Sequence, residues 1–192
     1  MNERDMNPIL QTERLTLRRV TSADIPSILR YHKENEERFA LTDPPKPDGF
    51  YTEEFWKERL AKSQKAWEAE QSLSFYLFEK NSDELVGMCN FTQMFRGAFQ
   101  ACYLGYALGG RHEGKGLMTE ALQVALQHVL GSLDFHRTMA NHLPENTRSA
   151  QVLQRLGFVV EGKAKDYLFI NGRWRDHVLN SLTNPNCRRA FI

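Results

Sequence analysis

Arg111, His112, Glu113, Gly114, Lys115 and Gly116 lie between an alternating apolar run that ends near Leu108 and an amphipathic run that begins at Leu117. Glycines at such a junction let main-chain N–H groups approach an anion with no Cβ in the way. A helix starting at Leu117 adds its positive end, so the chemistry suggested is phosphate or pyrophosphate binding. Residues 109–115 also fit G-x-x-x-x-G-K, the opening of a nucleoside-triphosphate loop. That loop needs Ser or Thr next to hold magnesium, and here the next residue is Gly116. It also follows a third antiparallel-type strand rather than the first strand of a parallel βαβ unit. Taken alone, the segment still reads equally as a plain connecting turn.

A second constellation lies further along: Asn146, Ser149, Leu153, Leu156, Gly157, Phe158, Glu161 and Gly162. An R-x-x-G-x-G loop opening a helix, followed by N-x-x-S-x-x-x-L-x-x-L-G-F-x-x-E-G, resembles the GNAT superfamily of N-acetyltransferases, and specifically its Rim-type branch. Within that branch, Arg96 to Tyr106 and Lys165 to His177 most resemble the ribosomal-protein-alanine N-acetyltransferases. The likeness extends over residues 12–183.

The resemblance implies an α+β fold: a mixed central β-sheet with a splayed parallel strand pair, here residues 100–108 and 135–142, and helices on both faces. Acetyl-CoA is expected in the splay. By position, Arg111, Glu113, Gly114, Lys115, Gly116 and Leu117 would present N–H groups to the pyrophosphate, with Met118 closing that side. Lys115 would add a point charge or stay a solvated loop lysine. The main chain at Tyr106 and Leu108 would pair with the pantetheine arm as an added strand does, and an N–H near Ala107 would serve the oxyanion.

The implied reaction is direct attack of an amine on a thioester, through a tetrahedral intermediate. An α-amino group, with a pKa of about 7.7 to 8.0, is already partly neutral near pH 7, so an N-terminal acceptor needs no strong base. Many relatives use a tyrosine to reprotonate the thiolate, at the position held here by Leu153. Ser149 is the substitute the resemblance implies, with Asn146 contacting the cofactor; alternatively Ser149 is a small residue that lets helices pack. Several relatives carry a glutamate base where this chain has Tyr103. The remaining candidates are a water held by backbone and Ser149, or one of Glu34, Glu36 and Glu37, whose other reading is a solvated acidic face. Tyr103 and Tyr106 either line the acceptor channel or pack in the core. The acceptor is expected between residues 31–50 and 166–174, where Glu36, Glu37 and Asp166 would attract a cationic amine or the N-terminus of a basic ribosomal protein.

These residues need elements to hold them. Leu15 and Leu17 share one face of a predicted strand over residues 12–18. Ile25, Ile28, Leu29 and His32 predict a helix running to about Phe39, and Phe55, Trp56, Leu60 and Trp67 a second one over residues 52–70, after a Pro-rich loop. Strands are predicted over residues 72–79, 84–94 and 100–108, then a helix from Leu117 to near Gly131, a strand over 135–142, a helix over 146–156 and a strand from Phe158. Asn171 and Gly172 carry the strongest hairpin signal.

Composition narrows the class. The chain has 192 residues, 41% of them hydrophobic, which predicts a single domain over 1–192 with its core at about 12–183. Lys and Arg number 25 against 24 Asp and Glu, so no basic footprint predicts direct nucleic-acid or membrane binding. The histidines and the cysteines Cys89, Cys102 and Cys187 show no metal-ligand spacing, and no metal is expected. Cysteine usage and the lack of an apolar leader predict the cytoplasm, and a monomer or homodimer is expected. Other functions compatible with the residues are acetylation of small-molecule amines or antibiotics, and a non-catalytic acyl-CoA-binding module for ribosome assembly.

Overall fold

The computed structural model describes residues 8–41 and 43–188. Residues 1–7, part of the charged N-terminus read above for the lack of a leader, lie outside them.

Leu10–Gln11 forms β1 and Leu15–Arg18 forms β2, where one strand over residues 12–18 is predicted. The Thr12 hydroxyl accepts the Leu15 N–H at 2.8 Å, and this side-chain bond draws the chain out of extended geometry into a turn. Helix α1, Ile25–Glu34, also stops earlier than predicted, and α2 is only the short Glu36–Phe39. Asn35 separates them, because its side chain bonds elsewhere: its amide nitrogen donates to Tyr31 O and its oxygen accepts the Gly110 N–H, both at 2.8 Å. Helix α3, Glu53–Glu68, starts at the Thr52 cap. Strands β3, Leu73–Glu79, β4, Leu85–Phe95, and β5, Ala101–Leu108, follow the alternating pattern. Helix α4, Leu117–Leu126, continues in wider turns over Gln127–Ser132. Then come β6, Arg137–His142, α5, Thr147–Arg155, β7, Val159–Ile170, and β8, Arg173–Thr183.

The eight strands form one sheet in the order β1-β2-β3-β4-β5-β6-β8-β7. Every pairing is antiparallel except β5 with β6. That parallel pairing covers only Ala101 with Arg137, Cys102 with Thr138 and Tyr103 with Met139. Beyond Tyr103 the strands part, and β6 continues to His142 paired only with β8. The α+β class, the splay and the helices on both faces are therefore as expected.

Alternation along β3 shows how the sheet buries both sides. Phe75 and Leu77 enter a core with Leu117, Ala121, Leu122 and Ala125 of α4. Tyr76 and Phe78 enter another with Ile25, Ile28 and Tyr31 of α1 and Trp56 of α3. Each fully buried large apolar side chain contributes roughly 1.5–3 kcal/mol, so neither face is free to slip by one residue without inverting the pattern.

Candidate active site

The glycine loop is a short 3-10 turn over Gly110–His112 followed by the start of α4. Gly114 at φ 73° and Gly116 at φ 77° take the left-handed conformation that a Cβ disfavours. A Cβ on Gly114 would meet nothing within 4 Å among the described residues, so the space in front of it is open. Among the described residues, no acceptor meets the N–H groups of Gly114, Lys115 or Gly116. They lie at the positive end of α4, which fits an anion. Glu113 differs from its expected role: its N–H closes the turn onto Gly110 O at 3.4 Å. Its carboxylate instead binds Arg38 of α2 and Arg148 of α5, the latter at 2.6 Å.

Other contacts brace this loop. Arg14, ahead of β2, donates to Lys115 O at 2.9 Å and pairs with Glu120 of α4 at 2.6 Å. Arg111 pairs with Glu34, which turns its guanidinium toward α1. Lys115 makes no ion pair among the described residues, and the side chains of Leu117 and Met118 are buried in the core rather than facing an anion.

Register decides which main-chain groups of β5 face the splay. Gly109 N–H bonds to Val86 O at 2.8 Å, and the same pairing sets Ala107 opposite Met88. In an antiparallel ladder such pairs alternate, so Ala107 N–H points at β4 while Tyr106 and Leu108 present theirs to the opening. Ala107 is thus corrected as the oxyanion donor; the available N–H groups are its neighbours'. The Ala107 carbonyl meets the Tyr31 hydroxyl at 3.3 Å, and the Leu108 carbonyl accepts Arg38 Nη1 at 3.0 Å.

On the α4/α5 side of the opening, the Tyr106 hydroxyl reaches Ser149 Oγ at 2.7 Å. Burial pushes the Tyr106 phenol up to about 12, with the Ser149 bond opposing, so it keeps its proton throughout the neutral range. Asn146 caps α5, its side-chain oxygen accepting the Ser149 N–H at 3.1 Å, and thereby fixes the serine backbone. The Tyr106 side chain was missed as a partner of Ser149. Strand alternation was the available signal, since Tyr103 and Tyr106 are separated by an odd number of residues and must face opposite ways.

Tyr103 accordingly lies on the α1/α3 side. Its hydroxyl meets that of Tyr167, which also accepts Asn141 Nδ2 at 3.1 Å. Asp166 is exposed, and its N–H donates to Asp176 Oδ1 at 3.1 Å. Glu34, Glu36 and Glu37 do not join this group. They line a cavity of about 810 Å³ with Tyr31, Arg111 and His112 at the far end of β5. Tyr103 lies about 20 Å upstream of Gly109 at roughly 3.3 Å per strand residue, so the expected acceptor residues fall into two separate places.

Among the described residues, no group of three or more His, Cys, Asp or Glu could hold a metal, and no helix is long and apolar enough to cross a membrane. Cys89 and Cys102 are buried, and burial pushes their thiols up to about 12 and about 11, so both stay protonated near neutrality.

Known proteins share this fold. The family described as acetyltransferase (GNAT) domain matches residues 14–159. The ribosomal protein uS5-alanine N-acetyltransferase of Escherichia coli K12 is 41% identical over 177 residues, 92% of this chain and 91% of the relative. The solved ribosomal-protein-S5-alanine acetyltransferase of Vibrio fischeri aligns with a TM-score of 0.90 at 34% identity, covering 94% of this chain and 98% of that one. Mycobacterium smegmatis RimJ, solved in complex with CoA-disulfide, aligns with a TM-score of 0.86 at 25% identity over 95% and 90% of the two chains.

Proposed function

The chain belongs to the GNAT family of acetyltransferases, and from that premise we propose that it transfers acetyl from acetyl-CoA to the N-terminal alanine α-amino group of a small-subunit ribosomal protein. The observation that carries the reading is the splay. Pairing of β5 with β6 stops after Tyr103, beside a helix start whose glycine N–H groups have no acceptor among the described residues. The open space at Gly114 and the free N–H groups fit a pyrophosphate.

Acetyl-CoA, when bound, supplies the thioester and its thiol leaving group. Gly114, Lys115 and Gly116 hold the phosphates through the main chain. Tyr106 and Leu108 offer N–H groups along the opening, where developing negative charge on oxygen is stabilised. Ser149, with Tyr106 behind it, holds a proton for the departing sulfur. An α-amine suits this site because it is partly neutral near pH 7. The acceptor class is supported by the uS5-alanine activity of the 41% identical relative.

The test is acetyl-CoA consumption with an Ala-initiated basic peptide, followed by free-thiol release. Stoichiometric thiol and N-acetyl-alanine are expected. Tight acetyl-CoA binding with no thiol release would favour a non-catalytic acyl-CoA-binding module instead.

A further inference from the structure

Strand β7 carries an irregularity that the antiparallel pairing does not require. Its register with β8 shifts between Ala164 and Leu168, which pair with His177 and Arg175. Lys165, Asp166 and Tyr167 thus stand opposite Asp176 alone. Asp166 adopts φ 47°, a left-handed conformation that a Cβ disfavours. Bulges of this kind re-aim side chains, and this one re-aims Tyr167.

Tyr167 leans across β8, its ring 5.5 Å from that of His177, and reaches Asn141 on β6 and Tyr103 on β5. Register puts these groups on one face: Asn141 lies opposite Leu179, two residues from His177, and Tyr103 lies beside Met139, two residues from Asn141. Tyr103 is also the last residue of β5 paired with β6, so its hydroxyl stands where the strands part, on the face opposite Tyr106 and Ser149.

The hydrogen bonds have a direction. An amide nitrogen only donates, so Tyr167 Oη accepts from Asn141 and its own proton is left for Tyr103 Oη. The Tyr103 oxygen then keeps one lone pair, and its proton points onward. A neutral α-amine next to a peptide carbonyl matches this pattern, because its N–H can fill the lone pair while its carbonyl oxygen takes the Tyr103 proton. The nitrogen lone pair is then free to face the splay.

We propose that Tyr103 and Tyr167, oriented by Asn141 and placed by the bulge at Asp166, form the receiving site for the acceptor's α-amino group and first peptide carbonyl. This rests on the acetyltransferase reading above and adds the atoms that present the acceptor. Tyr103 touches the amine, and Tyr167 and Asn141 are positioning residues that act through it. No carboxylate is part of the group, so the site takes the amine in its neutral form and selects α-amines over lysine side chains.

The test uses the full chain, acetyl-CoA and an Ala-initiated basic peptide. Tyr103→Phe is expected to raise the peptide KM about tenfold, the size of one lost substrate hydrogen bond. Tyr167→Phe and Asn141→Leu should raise it about threefold, through loss of orientation. The dissociation constant for acetyl-CoA, by calorimetry, and the melting temperature should stay at wild-type values in all three. This KM-specific pattern separates a receiving site from a packing role, which would lower stability and affect both substrates. Wild-type kinetics in Tyr103→Phe and Tyr167→Phe overturn this assignment while leaving the acetyltransferase reading intact. A wild-type protein that binds acetyl-CoA but acetylates no peptide amine overturns both.

Discussion

On the face of the sheet covered by α4 and α5, Tyr106 meets Ser149 across the opening at 2.7 Å, near a helix start whose glycine N–H groups meet no acceptor among the described residues. On the α1/α3 face, Tyr103 meets Tyr167, which in turn accepts from Asn141, with no charged side chain in that chain of bonds among the described residues. The cores behind the faces differ too. Behind α4 the buried side chains are largely aliphatic, whereas His32 of α1 sits among Tyr31, Phe39, Phe50 and Trp56. One strand, β5, serves both sides because alternate residues face opposite ways and the strand has lost its neighbour. A splay therefore yields two chemically distinct half-sites from a single backbone, one suited to an anion and a departing thiolate, the other to a neutral amine.

Variants on one face should then alter one substrate and spare the other. The largest effect is expected at the phosphate end. Gly114→Trp fills the open space before the loop and forces a bulky residue to φ 73°, so acetyl-CoA affinity should fall by roughly a hundredfold or more. Calorimetry against CoA measures it, and unaltered affinity would remove the loop from the cofactor site. Next, Ser149→Ala should lower kcat by about a hundredfold with little change in cofactor affinity, as for loss of a proton donor. Tyr106→Phe should cost about tenfold, and the double variant little more than Ser149→Ala alone, because the two hydroxyls act as one unit. Multiplying effects in that cycle would show that the hydroxyls work separately.

The parts legible in the sequence were those fixed by local chemistry. Gly114 and Gly116 ahead of Leu117 mark a helix start, and Asn171 with Gly172 turns β7 into β8. What escaped depends on partners far along the chain. Asn35 breaks the first helix because its oxygen holds Gly110, 75 residues away. Tyr106 finds Ser149 only once β5 and α5 are docked, and Tyr167 reaches Asn141 only because a bulge turns it. Ala107 was misassigned for a related reason. The parity of its N–H is set by pairing with β4, which no periodicity of β5 alone reveals. Glu36 and Glu37 were grouped with Asp166 by charge, but they line a cavity at the Gly109 end of β5, whereas Asp166 precedes Tyr167, which meets Tyr103 at the other end.

Acid should distinguish the cores. His32 is buried, both ring nitrogens lack a hydrogen-bond partner among the described residues, and its ring stacks on Trp56 at 5.3 Å. Burial, aided by Lys46 and Arg59, pushes its pKa down from 6.5 to about 4. The folded state thus favours neutral His32, and between those values the unfolded chain binds the extra proton. Its contribution to stability is complete above about pH 6.5 and is lost as pH falls toward 4, at up to about 1.4 kcal/mol per pH unit. His32→Phe keeps an aromatic ring in the box and should flatten this part of the stability profile. Parallel wild-type and variant slopes in denaturant titrations from pH 7 to 4 would place the acid sensitivity elsewhere.

The smallest effect is expected at the cavity lined by Glu36 and Glu37. Glu36 and Glu37 lie at its rim with Lys33, and Glu36 is hydrogen-bonded to Tyr51. Exposed charges this far from Tyr103 can attract a basic acceptor segment but cannot orient its terminal amine. Their attraction is screened beyond about 8–10 Å at ordinary salt. Glu36→Gln with Glu37→Gln should therefore raise the KM for a basic Ala-initiated peptide only about two- to threefold at low salt, with kcat unchanged. The same substitutions should have no effect on a peptide whose downstream residues are neutral, or at high ionic strength. A drop in kcat would mean that one of these carboxylates approaches the reacting amine after all. In that case the neutral-amine site on the α1/α3 face would have to share its work with the cavity.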